Sequence, residues 1–353
     1  MDMNKKGAAM ISFHWLLIII AGGAIFILFS FFISTGQQAS ETSLSVDVLL
    51  HFDTIFSSLV TTEKTEATLP SRAQLKLDFT CDLTENTADS SFRLSGGVTK
   101  NLDDVVLFSK KTVSGKELFT VARNYAIPYS VTSLLYITDP GVLYVIDALD
   151  DIHRKDIISL LPDDATIIQL HTSEAQFLNQ INLKSYRDVI VIGVTSAGDI
   201  FQSLIAYEQA SVNKDSVYLY HIEVEKDTDN VFDKGNVTGY RTKGKAVIED
   251  GYFEYNSDEV LAGIIQSESM PWFKCVNHKL SKKIKRVALV LAKRSELLSD
   301  EYASINTLCK TYYTAVNDML NKTTTDASLA VEYKDSIKEY NEKLEYQSCP
   351  LIY

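Results

Sequence analysis

The spacing of apolar and polar residues changes several times along the chain, beginning with an almost entirely apolar segment over 11–34 that contains no charged residue. A helix over this segment is about 36 Å long, enough to cross a hydrocarbon core of about 30 Å. Lys5 and Lys6 precede the segment, and no Lys or Arg follows closely, so the positive-inside rule places the N-terminus in the cytoplasm. The pattern predicts a cytoplasmic tail over 1–10, a retained transmembrane helix and an extracellular C-terminal part. A cleaved secretory signal is the alternative, although its apolar core is normally about 7–15 residues long.

The next region, residues 35–65, has the spacing of an amphipathic helix. Its apolar residues recur every three or four positions, namely Leu44, Val48, Phe52, Ile55 and Leu59. The region is predicted to be a stalk or a helix that covers a core, and a filament-forming helix is the alternative.

Residues 66–138 change to the period of two that is typical of half-buried strands. Leu75, Leu77 and Phe79 alternate with polar residues, and short apolar runs follow at intervals up to residue 137. This region is predicted to be a small, mainly antiparallel β unit.

Residues 139–268 alternate between strand-like and helix-like patterns. The apolar strand candidates are 142–146, 166–170, 189–194 and 217–224. Strands that alternate with helices favour a Rossmann-like parallel α/β sheet, and continuous apolar strands fit burial on both faces. Asp250-Gly251 lies between two β-rich runs and predicts a hairpin turn at these two residues.

The C-terminal region, residues 269–353, is predicted to be helical. Two apolar stripes at helical spacing indicate a helical hairpin, with the polar stretch 321–326 as its loop. The aromatic pair Trp272 and Phe273 is predicted to pack against the sheet, with an exposed anchor for a partner as the alternative. The basic run 279–286 is interpreted as a solvated helix face, with contact to an acidic polymer or lipid as the alternative.

Charge and composition narrow the possible partners. The chain has 353 residues, of which 34 are basic and 46 acidic, and its formal net charge is −12. This acidity argues against nucleic acid as a partner, because binding to phosphates needs clustered Lys and Arg. The composition is that of a globular protein, and the length suggests about two domains on an anchor.

The N-terminal stretch MNKKGAAMISFHWLLIII, which begins at Met3, resembles the class III signal of archaeal type IV pilin-like proteins. The resemblance implies cleavage by a prepilin peptidase after Gly7 and packing of the apolar helix in a filament core. Many pilins carry Glu at the fifth mature position, where this chain has Ser12. The general layout also resembles uncharacterised archaeal membrane-anchored proteins, a resemblance that implies no activity.

All four cysteines follow the predicted span, at Cys81, Cys275, Cys309 and Cys349. They lack the spacing of a zinc site, so no metal is expected, and an even number outside the membrane favours disulfides over free thiols. Three pairings are possible. The pairing of Cys275 with Cys309 and of Cys81 with Cys349 is preferred, because the first bridge closes a short local loop.

Candidate ligand-binding residues follow the strands of the α/β region. They are Asp147, His171, Ser196 and Asp199. The turn 193–199 could accept an anion at a helix N-terminus, but it lacks the Walker and nucleophile-elbow patterns, so an ordinary strand-to-helix turn is preferred. The acids near Asp147 are interpreted as the start of a helix. Asn236 and Asn321 begin glycosylation sequons that are predicted to lie in loops.

Together these patterns predict a single-pass membrane protein whose extracellular part has a binding or structural role. The partner is expected to be a protein or a surface polymer, and no cofactor or catalytic residue set is evident. The first alternative is a pilin-like filament subunit processed after Gly7. The second is an extracytoplasmic enzyme or small-ligand binder at the edge of the α/β sheet.

Overall fold

Two six-stranded sheets and six helices form the described part of this computed structural model. The described residues are 64–83, 88–94, 99–102, 105–148, 150–170, 186–196, 217–224, 234–243 and 246–353. The predicted tail and transmembrane helix, and nearly all of the stalk, lie outside these residues. Within the described ranges, no helix is both long and apolar enough to cross a membrane.

The first sheet contains the first six strands, which are β1 (Lys64–Leu83), β2 (Ala88–Leu94), β3 (Thr99–Asn101), β4 (Val106–Ser109), β5 (Thr112–Ala126) and β6 (Ser130–Thr138). Their order is β3-β2-β1-β5-β6-β4, and all neighbours are antiparallel except β4 and β6. Leu75, Leu77 and Phe79 are buried on one face of β1. The alternating pattern therefore identified a mainly antiparallel β unit, although β1 begins at Lys64.

The second sheet contains the other six strands, which are β7 (Val142–Ala148), β8 (Thr166–Leu170), β9 (Asp188–Ser196), β10 (Val217–Val224), β11 (Gly235–Lys243) and β12 (Ala246–Tyr255). Their order is β12-β11-β10-β9-β7-β8. Strands β8, β7, β9 and β10 are parallel, whereas β11 and β12 form an antiparallel extension. All seven residues of β7 are buried, which explains its uninterrupted apolar pattern.

The hairpin turn predicted at Asp250-Gly251 is wrong. Strand β12 continues through both residues, and its hairpin with β11 turns between Lys243 and Ala246. Gly251 has a φ of +143° and lies beside a register shift in the ladder. The conformational freedom of glycine therefore serves a bulge inside a strand rather than a turn.

Six helices complete the described part of the fold, and they are α1 (Asp151–Ser159), α2 (Asp258–Gln266), α3 (Met270–Glu301), α4 (Thr307–Thr325), α5 (Leu329–Glu332) and α6 (Lys334–Tyr346). Ser269 caps α3, and its hydroxyl accepts a hydrogen bond from the Trp272 amide. The side chains of Trp272 and Phe273 are buried, and the Trp272 indole donates to the Ser109 carbonyl at 2.7 Å. The prediction that this aromatic pair packs against a sheet is confirmed.

The C-terminal region is helical, but it is not a simple hairpin. The polar stretch 321–326 is not a loop, because α4 continues to Thr325 and ends at Asp326. Threonine hydroxyls bond back to helix carbonyls, as Thr323 does to Met319 at 3.0 Å. The Lys285 amine also donates to the Thr325 carbonyl at 2.6 Å, so a cation stabilises this helix end.

The cysteines pair as Cys81 with Cys275 and Cys309 with Cys349, so the preferred pairing was wrong. The Cα atoms are 6.2 Å apart in the first pair and 6.3 Å apart in the second. The first bridge joins β1 to α3, and the second joins α4 to the segment after α6. The short loop between Cys275 and Cys309 is not closed, because α3 carries the chain away from Cys275 for most of its length before α4 begins.

Candidate functional site

Two of the predicted ligand-binding residues lie near the carboxyl ends of neighbouring parallel strands. Asp147 on β7 is in register with Gly193 on β9, and Ser196 is the last residue of β9. Strands β8 and β9 lie on opposite sides of β7, so the strand order reverses at this point. A crevice is therefore expected between the carboxyl ends of β7 and β9. Asp147 is 5% exposed. His171 and Asp199 lie outside the described residues.

The acidic residues after β7 lie at the start of α1, as predicted, and Asp150 caps this helix. The Asp150 carboxylate accepts hydrogen bonds from the backbone amides of Ile152 and His153, both at 2.9 Å. It also lies 2.8 Å from His153 Nδ1. The hydrogen bond from the His153 amide is the main cause of the lowered pKa of Asp150. Two backbone amides at the start of this helix therefore already bond to a carboxylate of the chain itself.

Arg154 adds a buried positive charge to the same edge. It is 5% exposed, it forms an ion pair with Asp151, and its Nη2 lies 3.5 Å from the Leu170 carbonyl at the end of β8. No group of three or more His, Cys, Asp or Glu residues in the described ranges could hold a metal ion. The edge therefore combines one buried carboxylate with one buried guanidinium.

At the opposite end of the parallel strands, four charged residues form a network between the two sheets. Lys110, which follows β4, lies 2.8 Å from Asp188 at the start of β9. Arg187 binds both anions, with 2.9 Å from its Nε to Asp188 and 2.6 Å from its Nη2 to Asp139. Asp139, between β6 and β7, also accepts from the Ser114 amide at 3.2 Å. We call Lys110, Asp139, Arg187 and Asp188 the inter-sheet charge network.

The position of Lys110 defines what this network can do. The residue is 4% exposed, and burial lowers the pKa of its amine, while the charge of Asp188 opposes this shift. Its Nζ also lies 5.5 Å from the centre of the Tyr218 ring. A paired amine shielded from solvent is a poor nucleophile, so we interpret the network as a connection between the sheets.

Two neighbouring acidic residues, Asp258 and Glu259, lie at the start of α2. Burial raises the pKa of Glu259 to about 7, and a hydrogen bond with Asp258 and the charge of Asp258 add to this shift. Arg123 lies 3.5 Å from Asp258. The pKa of the nearby Tyr125 is also raised, mainly by burial and then by the charge of Glu259. Glu259 is thus a carboxyl group that exchanges its proton near neutral pH, which is a common property of functional sites.

Replacing Glu259 with glutamine tests this assignment through the pH dependence of stability. The folded chain holds the Glu259 proton more tightly than the unfolded chain, where the pKa is 4.5. The stabilisation from this proton is complete below pH 4.5 and is lost as the pH rises through about 7. Glutamine cannot ionise, so the stability of Glu259→Gln relative to the natural chain should increase by roughly 3 kcal/mol between pH 4.5 and 8.

Urea unfolding of the full chain across this pH range provides the measurement. Glu249→Gln is the matched control, because Glu249 is exposed on β12. If the plots of unfolding free energy against pH for Glu259→Gln and the natural chain remained parallel over the whole range, the pKa of Glu259 would not be raised in the folded chain.

The predicted glycosylation asparagines do not lie in loops. Asn236 belongs to β11, and Asn321 belongs to α4. The Thr323 side chain of the second sequon is fully buried. Strand β11 and helix α4 therefore continue through polar residues that were predicted to lie in loops.

The basic run 279–286 is not simply a solvated face. Lys279 is 7% exposed, and its amine hydrogen-bonds to the Leu102 carbonyl and to the Ser90 hydroxyl. Lys285 bonds to the end of α4. Two of the positive charges in the run are thus used within the fold.

Neither the inter-sheet charge network nor Glu259 was selected from the sequence. The available signal was the position of charged residues close to apolar runs, such as Lys110 two residues after Phe108 or Asp188 before Val189. Such residues are usually solvated, so this signal has little weight before the packing of the sheets is known.

The chain was compared with protein-family models, with curated proteins and with solved structures, and nothing matches it. Its function is therefore argued from its own residues and their geometry.

Proposed function

We propose that this chain is a single-pass, membrane-anchored extracytoplasmic protein with a binding or structural role. The observation that carries the proposal is the pairing of all four cysteines in two disulfides. Disulfides persist in oxidising compartments and are rare in the cytosol. The uncharged segment 11–34, preceded by Lys5 and Lys6, supplies the anchor and the orientation.

The second sheet supports a binding role within this proposal. We assign its parallel part, β8-β7-β9-β10, to a Rossmann-like arrangement, in which ligands bind where the strand order reverses. Asp147 and Ser196 belong to the strands that flank this position. The net charge of −12 keeps such a protein soluble outside the membrane and favours partners that are not polyanions.

Fractionation of intact cells tests the anchor and the orientation. We expect the full chain to remain with membranes after an alkaline carbonate wash and to be digested by protease added outside the cells. Leu16→Arg combined with Ile20→Arg should release the chain from membranes, because each arginine at the centre of a span costs about 2.5–3.5 kcal/mol. The control is the same pair of arginines at exposed Leu289 and Val290. A natural chain found in the carbonate supernatant would contradict the proposal.

Mass spectrometry of the mature N-terminus separates this proposal from the filament subunit. A chain that retains Lys5 and Lys6 agrees with a simple anchor. A chain that begins at Ala8 indicates processing after Gly7 and favours the pilin-like alternative.

A further inference from the structure

One side of the long helix α3 carries large apolar side chains that nothing in the described part of the chain covers. Leu289, Val290 and Leu297 are each more than half exposed. Their spacing places them on one face of the helix, away from the buried face that contains Ala288 and Ala292. Single exposed apolar residues are ordinary, but several on one helix face indicate a contact surface.

The C-terminal end of the chain extends this surface. Arg294 lies on α3 between the positions of Val290 and Leu297, and its Nη2 donates to the Leu351 carbonyl at 2.9 Å. The Leu351 side chain is also exposed. The name α3 apolar face is used below for the surface formed by Leu289, Val290, Leu297 and Leu351.

The start of the first sheet lies close to the same C-terminal segment. Strand β1 begins at Lys64, which pairs with Arg123 on the antiparallel strand β5. The N-terminal end of β1 is therefore at the end of β5 where the chain turns into β6. In that turn, the Tyr129 ring contacts the Tyr353 ring, with 6.1 Å between ring centres, two residues after Leu351. The segment that precedes β1 thus joins the fold at the turn on which the C-terminal residues pack.

This preceding segment has the apolar pattern and the charge that suit the α3 apolar face. Its apolar residues recur at helical spacing from Leu44 to Leu59 and predict one stripe. Residues 40–63 contain four acidic residues and no Lys or Arg. On α3, Arg286 and Arg294 are exposed, and neither forms an ion pair within the described ranges. The two surfaces are therefore both apolar and of opposite charge at their edges.

The geometry points to docking of segment 44–59, as an amphipathic helix, on the α3 apolar face of the same chain. Such a helix is about 24 Å long, and the exposed row on α3 from Leu289 to Leu297 is about 12 Å long, so one helix covers it. Only residues 60–63 separate the segment from β1, so its effective concentration at this face is high. A second copy of the chain lacks this advantage.

Docking also determines how far the fold lies from the predicted membrane span. Residues 35–43 remain as the link, and nine residues extend to at most about 32 Å. The C-terminal helices would then be held near the membrane surface rather than on a free stalk. This consequence rests on the anchor proposed above, whereas docking itself does not, because it is measured on the purified full chain.

Site-specific photocrosslinking of the full chain in a non-ionic detergent tests the docking. The photoreactive residue p-benzoylphenylalanine replaces Val290 in one variant and Ile152, which is exposed on α1, in the matched control. We expect illumination to link position 290 to residues within 44–59, as identified by peptide mapping, and to give at least about tenfold less of this product from position 152. On a denaturing gel the product should keep the mass of one chain.

Hydrogen exchange provides a second measurement with different variants. Leu289→Asp combined with Val290→Asp should make amides of 44–59 exchange at least about tenfold faster, because the new charges remove apolar contact and repel the acidic segment. The buried strand β7 should keep its slow exchange, which shows that the variant is folded. Ile152→Asp combined with Ile248→Asp, also at exposed positions, should leave the exchange of 44–59 unchanged.

Several results would overturn the inference. They are the absence of a link from position 290 to 44–59, equal links from positions 290 and 152, and a linked product with the mass of two chains only, which would indicate a second copy on this face. Unchanged exchange of 44–59 in the folded variant at positions 289 and 290 would have the same meaning. Fractionation of intact cells tests the anchor independently, so failure of either proposal can be recognised.

Discussion

Replacing Asp188 with asparagine is expected to lower the free energy of unfolding by about 3–5 kcal/mol at pH 7. The substitution keeps the size of the side chain but removes the carboxylate that lies 2.8 Å from the Lys110 amine. Lys110 then becomes a buried cation without its hydrogen-bonded anion. Removing one member of a buried ion pair has this large effect because the remaining charge is no longer compensated.

Proton release by Lys110 limits how much unfolding free energy Asp188→Asn can lose. The amine has a pKa of 10.5 in the unfolded chain. Neutralising it at pH 7 therefore costs about 5 kcal/mol, since one pKa unit corresponds to about 1.4 kcal/mol. Burial lowers the folded pKa below the unfolded one, so the unfolded chain binds more protons and stability rises with pH. Asp188 opposes this lowering, so its replacement lowers the folded pKa of Lys110 further, and the deficit of Asp188→Asn relative to the natural chain should shrink as the pH approaches 10.5.

Two further variants make the measurement specific. Lys110→Met combined with Asp188→Asn should recover at least half of the loss, because no unpaired cation remains. The control is Asp318→Asn, because Asp318 lies 2.8 Å from Lys322 in an exposed pair, and exposed pairs contribute about 0–1 kcal/mol. Equal losses for Asp188→Asn and Asp318→Asn in urea unfolding would show that burial of the network has no energetic consequence.

Removing the bridge between Cys81 and Cys275 is expected to destabilise the chain more than removing the other bridge. The first closes a loop of sequence separation 194, and the second closes one of 40. Loop-closure entropy predicts a larger loss for the longer loop, by about 1 kcal/mol, within a usual range of about 2–5 kcal/mol per native disulfide. The first bridge also links β1 covalently to α3, so its removal would free these two elements from each other.

The comparison needs two double variants, in which serines replace either Cys81 and Cys275 or Cys309 and Cys349. Urea unfolding gives both losses, and peptide mapping without reductant first establishes the pairing in the natural chain. A peptide that links Cys275 to Cys309 would contradict the arrangement described here. A larger loss for the shorter loop would show that native packing, rather than chain entropy, determines the order.

Much of the second sheet could be predicted from the sequence, because the mostly apolar segments of its parallel strands stand out from the polar segments between them. Strands β8 and β10 were located to the residue, and the alternation with helix-like segments indicated parallel pairing. The antiparallel β unit was located by the alternation around Leu77. In these elements the pattern of burial follows directly from the local sequence.

Features that depend on distant partners could not be predicted in this way. The Asp250-Gly251 pair has the same local preference in a hairpin turn and in a bulge, and only pairing with β11 distinguishes the two. The cysteine pairing was wrong because loop length favours Cys309 as the partner of Cys275, whereas β1 brings Cys81 there from 194 residues away.

The candidate sites were affected by the same limitation. The positions of Asp147 and Ser196 near strand ends could be predicted because strand ends can be read from apolar runs, and their role in binding stays a prediction. Lys110 and Asp188 come from different sheets, so nothing in either neighbourhood indicates that the two will meet. Glu259 differs from any other glutamate at a helix start only through burial by surrounding elements.

The two bridges also determine how the chain would respond to a pulling force on its ends. Each disulfide closes its own stretch of chain, and the two stretches do not overlap. Tension that enters at β1 would pass through the sulfur atoms from Cys81 to Cys275, then along α3 to the second bridge. Strands β2 to β12 lie inside the first loop and would be shielded from extension, whereas residues 64–80 of β1 lie outside it. The part of α3 that follows Cys275 would carry the tension between the two bridges.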